Sequence, residues 1–230
     1  MTLNLGNSLF PGLNDKGGIM ICGYEWGHSK DDQLRAASGD APVINPNAIT
    51  TFSNKTAAHG DKALSWPYDR RIIKWFELWG HPLSREGLGG RFEKCIVQTN
   101  WCDTQAHHLA KGYRQKLLDP EQVKNFILHV EKLRPKLIMF MGSVLIDVLQ
   151  SEQAMKPFME IAGIETIKLD KIQKDFQGRR FKIGFQSFEN CDVVSLPHPS
   201  SARGLSDDYM ALFREEIGGM IDEVRKSKQA

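Results

Sequence analysis

Short, nearly continuous apolar runs, separated by amphipathic helical stretches, constrain this chain more than any other feature. Ile19 to Cys22, Cys95 to Thr99, Leu137 to Met141 and Val193 to Leu196 are four such runs. A strand that alternates apolar and polar residues covers one face only. One that is apolar throughout must be covered on both, as in a parallel sheet between helical layers. Glycine, asparagine or proline follows each run. The expected fold is α/β: a three-layer α/β/α sandwich around a four-stranded parallel central sheet.

Between the runs the apolar spacing turns helical. Asp119 as cap, Pro120 in the first turn and Gln122 closing a capping box open a helix with Val123, Phe126, Ile127, Val130 and Leu133 on one face; Arg134-Pro135 ends it. A second, from about Trp66, sets Ile72, Trp75, Phe76 and Trp79 inward and Arg70, Arg71, Lys74 and Glu77 largely outward. A third starts at Ser206 and carries Met210, Phe213, Ile217, Met220, Ile221 and Val224 inward, tolerating Gly218-Gly219 at some local cost. Ile164 to Leu169 and Phe181 to Phe185 flank Gln177-Gly178 and suggest a hairpin at the sheet edge or an insertion over it. Ser38 to Ala63, rich in Gly, Pro and Asn, reads as a long loop of the kind that often carries function.

With 230 residues and 41% hydrophobic content, the chain fits a single domain over 1–230, with an N-terminal arm over 1–17 and a frayed tail over 226–230. Thirty Lys plus Arg against 28 Asp plus Glu exclude a polycation that binds nucleic acid by charge alone, so any phosphate contact needs a local patch. The start lacks the basic and apolar regions of a signal peptide. No stretch reaches the roughly 20 apolar residues of a membrane span. A soluble cytoplasmic monomer with no membrane partner is expected. Cys22, Cys95, Cys102 and Cys191 form no CxxC pair and read as small buried apolar residues. Cys102, Asp103, His107 and His108 cluster in sequence, but adjacent histidines project in different directions, so no metal and no cofactor is expected. GxSxG, Walker and GxGxxG fingerprints are absent, which lowers the hydrolase-triad, NTPase and dinucleotide-binding readings.

In open parallel sheets ligands bind beyond the carboxyl ends of the strands. Three of the four ends here carry chemistry. The first runs into Gly23-Tyr24-Glu25-Trp26-Gly27-His28, the second ends Gln98-Thr99-Asn100, and the fourth passes through Pro197 into His198-Pro199-Ser200-Ser201-Ala202-Arg203. A carboxylate can orient water, a histidine can donate to an oxygen gaining charge, an asparagine can pair with the edge of a base, and glycines let backbone approach a ligand. Those are the demands of N-glycosidic hydrolysis. Each residue also has a plainer use: Glu25 as a solvated loop acid, Asn100 as a strand-ending turn residue, His198 as part of a proline-fixed turn, His28 at the surface.

Three motifs in this order, each at a strand terminus, resemble the uracil-DNA glycosylase superfamily over roughly Gly18 to Met220. The resemblance implies that Glu25 stands where the family's water-activating Asp stands, that Asn100 reads the flipped base, and that His198 stabilises the departing base anion. It implies a phosphate role for Ser200 and Ser201, with Gly23 and His28 near the DNA backbone. Phe52 resembles the base-stacking phenylalanine. Arg203, Gly204 and Leu205 match the stretch that enters the minor groove, where an apolar wedge fills the gap left by the base.

The departures are specific. The best-known branch has Asp, Pro and Tyr at the positions of Glu25, Trp26 and Gly27. That Tyr blocks the thymine methyl group, so Gly27 leaves room for a larger base unless Tyr24 or Trp26 fills it. No iron-sulfur cluster is expected, because a CxxC is missing, and no lyase step, because no Lys stands in a motif. The expected activity is that of a monofunctional DNA glycosylase acting on a deaminated or damaged base, most plausibly uracil. The alternative is a non-catalytic or repurposed member that binds a nucleobase, nucleotide or nucleic acid without cleaving it. A small-molecule hydrolase or transferase using the same cleft is a third reading.

Overall fold

The computed structural model describes residues 5–7, 16–27, 37–38, 61–83, 91–106, 112–178 and 180–229. The four apolar runs form strands β2 (Ile19–Gly23), β4 (Ile96–Asn100), β6 (Leu137–Met141) and β9 (Asp192–Leu196). They pair in parallel, with β2 between β4 and β6 and with β6 beside β9.

The sheet is wider than the four strands expected. Strand β1 (Leu5–Asn7) adds antiparallel to β4, inside the segment expected to be only an arm. A three-residue Leu-Gly-Asn strand has no period to recognise. Strands β7 (Glu165–Ile172) and β8 (Ile183–Phe188) form the hairpin, and β8 pairs antiparallel with β9. The order is β1-β4-β2-β6-β9-β8-β7, so the hairpin extends the sheet edge instead of covering it. Gln177 and Gly178, between its strands, both have positive φ. Two short strands, β3 (Trp26–Gly27) and β5 (Gln105–Ala106), pair in parallel as a separate sheet.

Alternate residues of the parallel strands feed two cores. Met20, Cys22, Ile138, Phe140 and Val193 pack with residues of α4 (Pro120–Leu133), α5 (Ser143–Leu149) and α6 (Glu152–Ala162). Ile19, Ile21, Leu137, Met139, Met141, Val194 and Leu196 pack with α1 (Pro67–Leu78), α7 (Asp207–Ala211) and α8 (Arg214–Gln229). Each fully buried side chain of this size stabilises the fold by roughly 1.5–3 kcal/mol relative to exposure. The remaining helices, α2 (Arg91–Lys94) and α3 (Tyr113–Leu117), are short.

Helix α4 begins and ends as expected, but its capping box is not formed. Asp119 accepts from the Glu121 amide, whereas Gln122 turns away and accepts from the Asp103 amide at 3.0 Å. The helix expected from Ser206 is two helices. Amides of Leu212 and Phe213 bond three residues back, to Tyr209 and Met210, and this tight turn leaves Leu212 exposed while Phe213 is buried. The tail is not frayed: α8 runs to Gln229, with Lys226 paired to Glu223 and Lys228 donating to the Lys16 carbonyl. All four cysteines are buried and unbridged.

Candidate functional site

Parallel pairing brings the strand ends into one row. Gly23 is in register with Asn100, Cys22 with Phe140, and Met141 with Leu196. The segments leaving the strands therefore meet at one edge of the sheet. Asn100 is buried, and the Asn125 side chain holds its backbone by donating to the carbonyls of Asn100 and Trp101 at 3.3 and 2.8 Å. Its Oδ1 lies so close to Gly23 that a Cβ there would collide with it; the same Cβ would be 3.5 Å from the Tyr68 hydroxyl. Glycine at 23 is thus required by the approach of Asn100.

His198 is half-buried in the loop after β9. Its Nδ1 accepts from the Ser200 amide at 3.3 Å and lies 3.2 Å from the Ser200 hydroxyl. An amide can only donate, so Nδ1 is bare and the neutral ring carries its proton on Nε2. Burial lowers the pKa of His198 from 6.5 to about 4, so the ring is neutral at pH 7. The ring stacks parallel on Tyr24, with centroids 5.8 Å apart, and lies 5.5 Å from the tilted ring of Tyr68.

Tyr24 is fixed from three sides. Its ring fills the space where Gly142 has no side chain, meets Tyr113 edge-on at 4.8 Å, and its hydroxyl bonds the backbone of Val144. Gly142 ends β6, so all four strand ends contribute, including the one to which the sequence assigned no chemistry. Among the described residues the hydroxyls of Tyr68 and Tyr113 are both buried without a hydrogen-bond partner.

Glu25 is placed differently. Its side chain is only 5% exposed, and its Oε2 accepts from Thr104 Oγ1 at 2.8 Å and from the Lys116 ammonium. The carboxylate is thereby tied to the segment after β4 and to α3. By contrast, Asn100 Oδ1 and the Tyr68 hydroxyl both approach Gly23, and the rings of Tyr68 and Tyr24 both neighbour His198.

The loop carrying His198 is clamped by Arg71. Its Nη1 donates to the Pro199 carbonyl at 2.7 Å, its Nη2 to the Leu205 carbonyl at 3.0 Å, and its Nε lies 3.4 Å from Asp207. The expected outward-facing Arg71 is thus corrected: residues 68, 71 and 75 share one face of α1, and that face meets the loop. The spacing was readable in the sequence; the partner was not.

Ser200, Ser201 and Arg203 are exposed, Trp26 is half-buried, and Gly27 is exposed with open space where a Cβ would be. Leu205 is corrected as well. It is 5% exposed and belongs to the same hydrophobic core as Trp75 and Phe213, so it is not presented as a wedge. Phe52 and His28, together with His107 and His108, lie outside the described residues. Tyr68, Tyr113, Thr104, Lys116 and Gly142 were missed because no motif marks them.

Among the described residues no group of three or more His, Cys, Asp or Glu is placed to hold a metal ion, and no helix is long and apolar enough to cross a membrane. No protein-family model matches the chain, and no curated protein matches it.

Proposed function

We propose that this chain is a divergent member of the uracil-DNA glycosylase superfamily, a monofunctional glycosylase of base-excision repair acting as a cytoplasmic monomer on uracil or another deaminated or damaged base in DNA. One observation supports this above the others: a buried asparagine ending β4 and a neutral histidine following β9, with Tyr68 near both Gly23 and the histidine ring, lie at the same carboxyl edge of the parallel strands. In this reading the flipped base enters next to Gly23, where backbone can approach it, and the Asn100 amide pairs with its edge. Water attacks C1′ of the sugar as the bond to the base breaks. His198 Nε2–H stabilises the negative charge that the departing base acquires, and the proton released by the water neutralises that base. Thr104 and Lys116 both bind Glu25 through Oε2, and in this reading Oε1 orients the water. Phe52 stacks on the base, with Tyr24 and Trp26 bounding its pocket and Gly27 leaving it roomy. Ser200, Ser201, Arg203 and His28 take the DNA backbone.

The test is single-turnover base release from duplex and single-stranded oligonucleotides carrying uracil, hypoxanthine, xanthine or a thymine mismatch. Release that Glu25→Gln and His198→Ala both abolish supports the glycosylase. The absence of release from every substrate by the folded protein overturns it.

A second reading, a base- or nucleotide-binding protein that does not cut, is favoured by the binding of Glu25 to Lys116 and Thr104. A carboxylate already holding an ammonium and a hydroxyl is a weaker partner for water. Binding of a base-containing oligonucleotide without release would select this reading.

A further inference from the structure

Buried hydroxyls in folded proteins are nearly always hydrogen-bonded, because water that once satisfied them has been removed. Tyr68 departs from that rule in a revealing place. Its hydroxyl is buried without a partner among the described residues, yet it lies 3.5 Å from the point where a Gly23 Cβ would stand, the point also crowded by Asn100 Oδ1. Its ring is 5.5 Å from that of His198. The hydroxyl therefore faces the same point beside Gly23 as the Asn100 amide oxygen, on a ring that neighbours His198, and no motif assigns it a task. Burial, with Asp69 and Cys22 nearby, pushes its pKa well up, so it remains a phenol with a proton to give.

We propose that Tyr68 is a ligand-binding residue of this site, its hydroxyl donating a hydrogen bond to a ring carbonyl oxygen of the base that Asn100 reads. This inference rests on the glycosylase or base-binding reading and adds a substrate class: bases with a carbonyl acceptor, such as uracil and hypoxanthine. Among the described residues nothing satisfies the hydroxyl, whereas a carbonyl placed there would.

The experiment uses Tyr68→Phe, which keeps the ring and removes only the orphan oxygen. Binding is measured by fluorescence anisotropy to three kinds of duplex. One carries 2′-fluoroarabino-uridine or the corresponding inosine, whose glycosidic bonds resist cleavage; a second carries a tetrahydrofuran abasic analogue, which has no carbonyl; a third is undamaged. The expected result is a loss of about fivefold on the base-carrying duplex, the size of one neutral hydrogen bond. Binding to the abasic duplex is unchanged, and Tm is unchanged or slightly raised.

Equal binding of variant and wild type to the base-carrying duplex overturns the role of Tyr68 and leaves the base-binding reading standing. A lowered Tm, or an equal loss on the abasic duplex, overturns it in favour of a structural role. Failure of the wild type to prefer a base-carrying duplex over the undamaged one overturns both.

Discussion

The ammonium of Lys116 rests on Oε2 of Glu25, the same oxygen that accepts from Thr104, so a buried carboxylate just past β2 is joined to helix α3. The acid is almost wholly buried, while the lysine is 36% exposed. Removing either partner therefore has unequal consequences.

Lys116→Met leaves the buried carboxylate with Thr104 as its partner among the described residues. The expected cost is about 1–2 kcal/mol, below that of a fully buried pair because the lysine is partly solvated. Glu25→Gln costs less, since the amide oxygen still accepts from Thr104 and the freed ammonium reaches water. Urea denaturation of both single variants and the double variant gives the coupling. A coupling near zero would show that the pair does not hold this corner of the site.

Acid stability depends on His198. Its folded-state pKa is near 4 against 6.5 for the free side chain, so between those values the unfolded chain binds more protons. The contribution of the neutral ring is fully present above about pH 6.5 and is lost as pH falls towards about 4. Replacement by Asn, which does not titrate, should flatten that part of the stability profile measured by urea denaturation from pH 4 to 7. Wild-type base release should likewise show no His198-dependent loss near pH 6.5.

Arg71 acts on the site through Pro199 and Leu205. Arg71→Lys keeps the charge but not the two-pronged donation, and Arg71→Ala removes both bonds. Stability should fall by about 1–3 kcal/mol in the alanine variant. Base release should fall about tenfold or more, because His198 is no longer held in place. Stopped assays on both variants, alongside their melting curves, separate misplacement from unfolding; a lysine variant as fast as wild type would contradict the clamp.

Gly142→Ala puts a methyl group into the space occupied by the Tyr24 ring. Tyr24 is wedged between Tyr113 and His198 and cannot retreat cheaply. Overpacking of this kind costs about 1–3 kcal/mol, and thermal unfolding should show it. Gly27→Ala, where open space surrounds the position, should be nearly silent in the same measurement.

The four central strands were legible because burial on both faces writes itself into every residue of a strand, as in Leu137 to Met141. Helix α4 was legible for a similar reason: Asp119, Pro120 and its apolar spacing act within a few turns. The extra edge strand, the break after Ala211 and the turning away of Gln122 were not, since each depends on a neighbour supplied by another part of the chain. Within the site, Gly23 and Asn100 announced themselves by ending strands and His198 by following one. Tyr68, Arg71 and Lys116 did not, because each sits on a helix among residues of ordinary helical type.

Residue order dictated which segments are the central strands, which side of each helix is apolar, and that chemically capable residues lie just past the strands. These properties are local, governed by backbone periodicity and by solvent acting on one element at a time. Packing in three dimensions settled that Arg71 closes on a carbonyl 128 residues away, that Leu205 is core, and that Glu25 pairs with Lys116. Contacts of that kind are selected across the whole fold, where the nearest partner in space, not in sequence, satisfies a buried charge or donor.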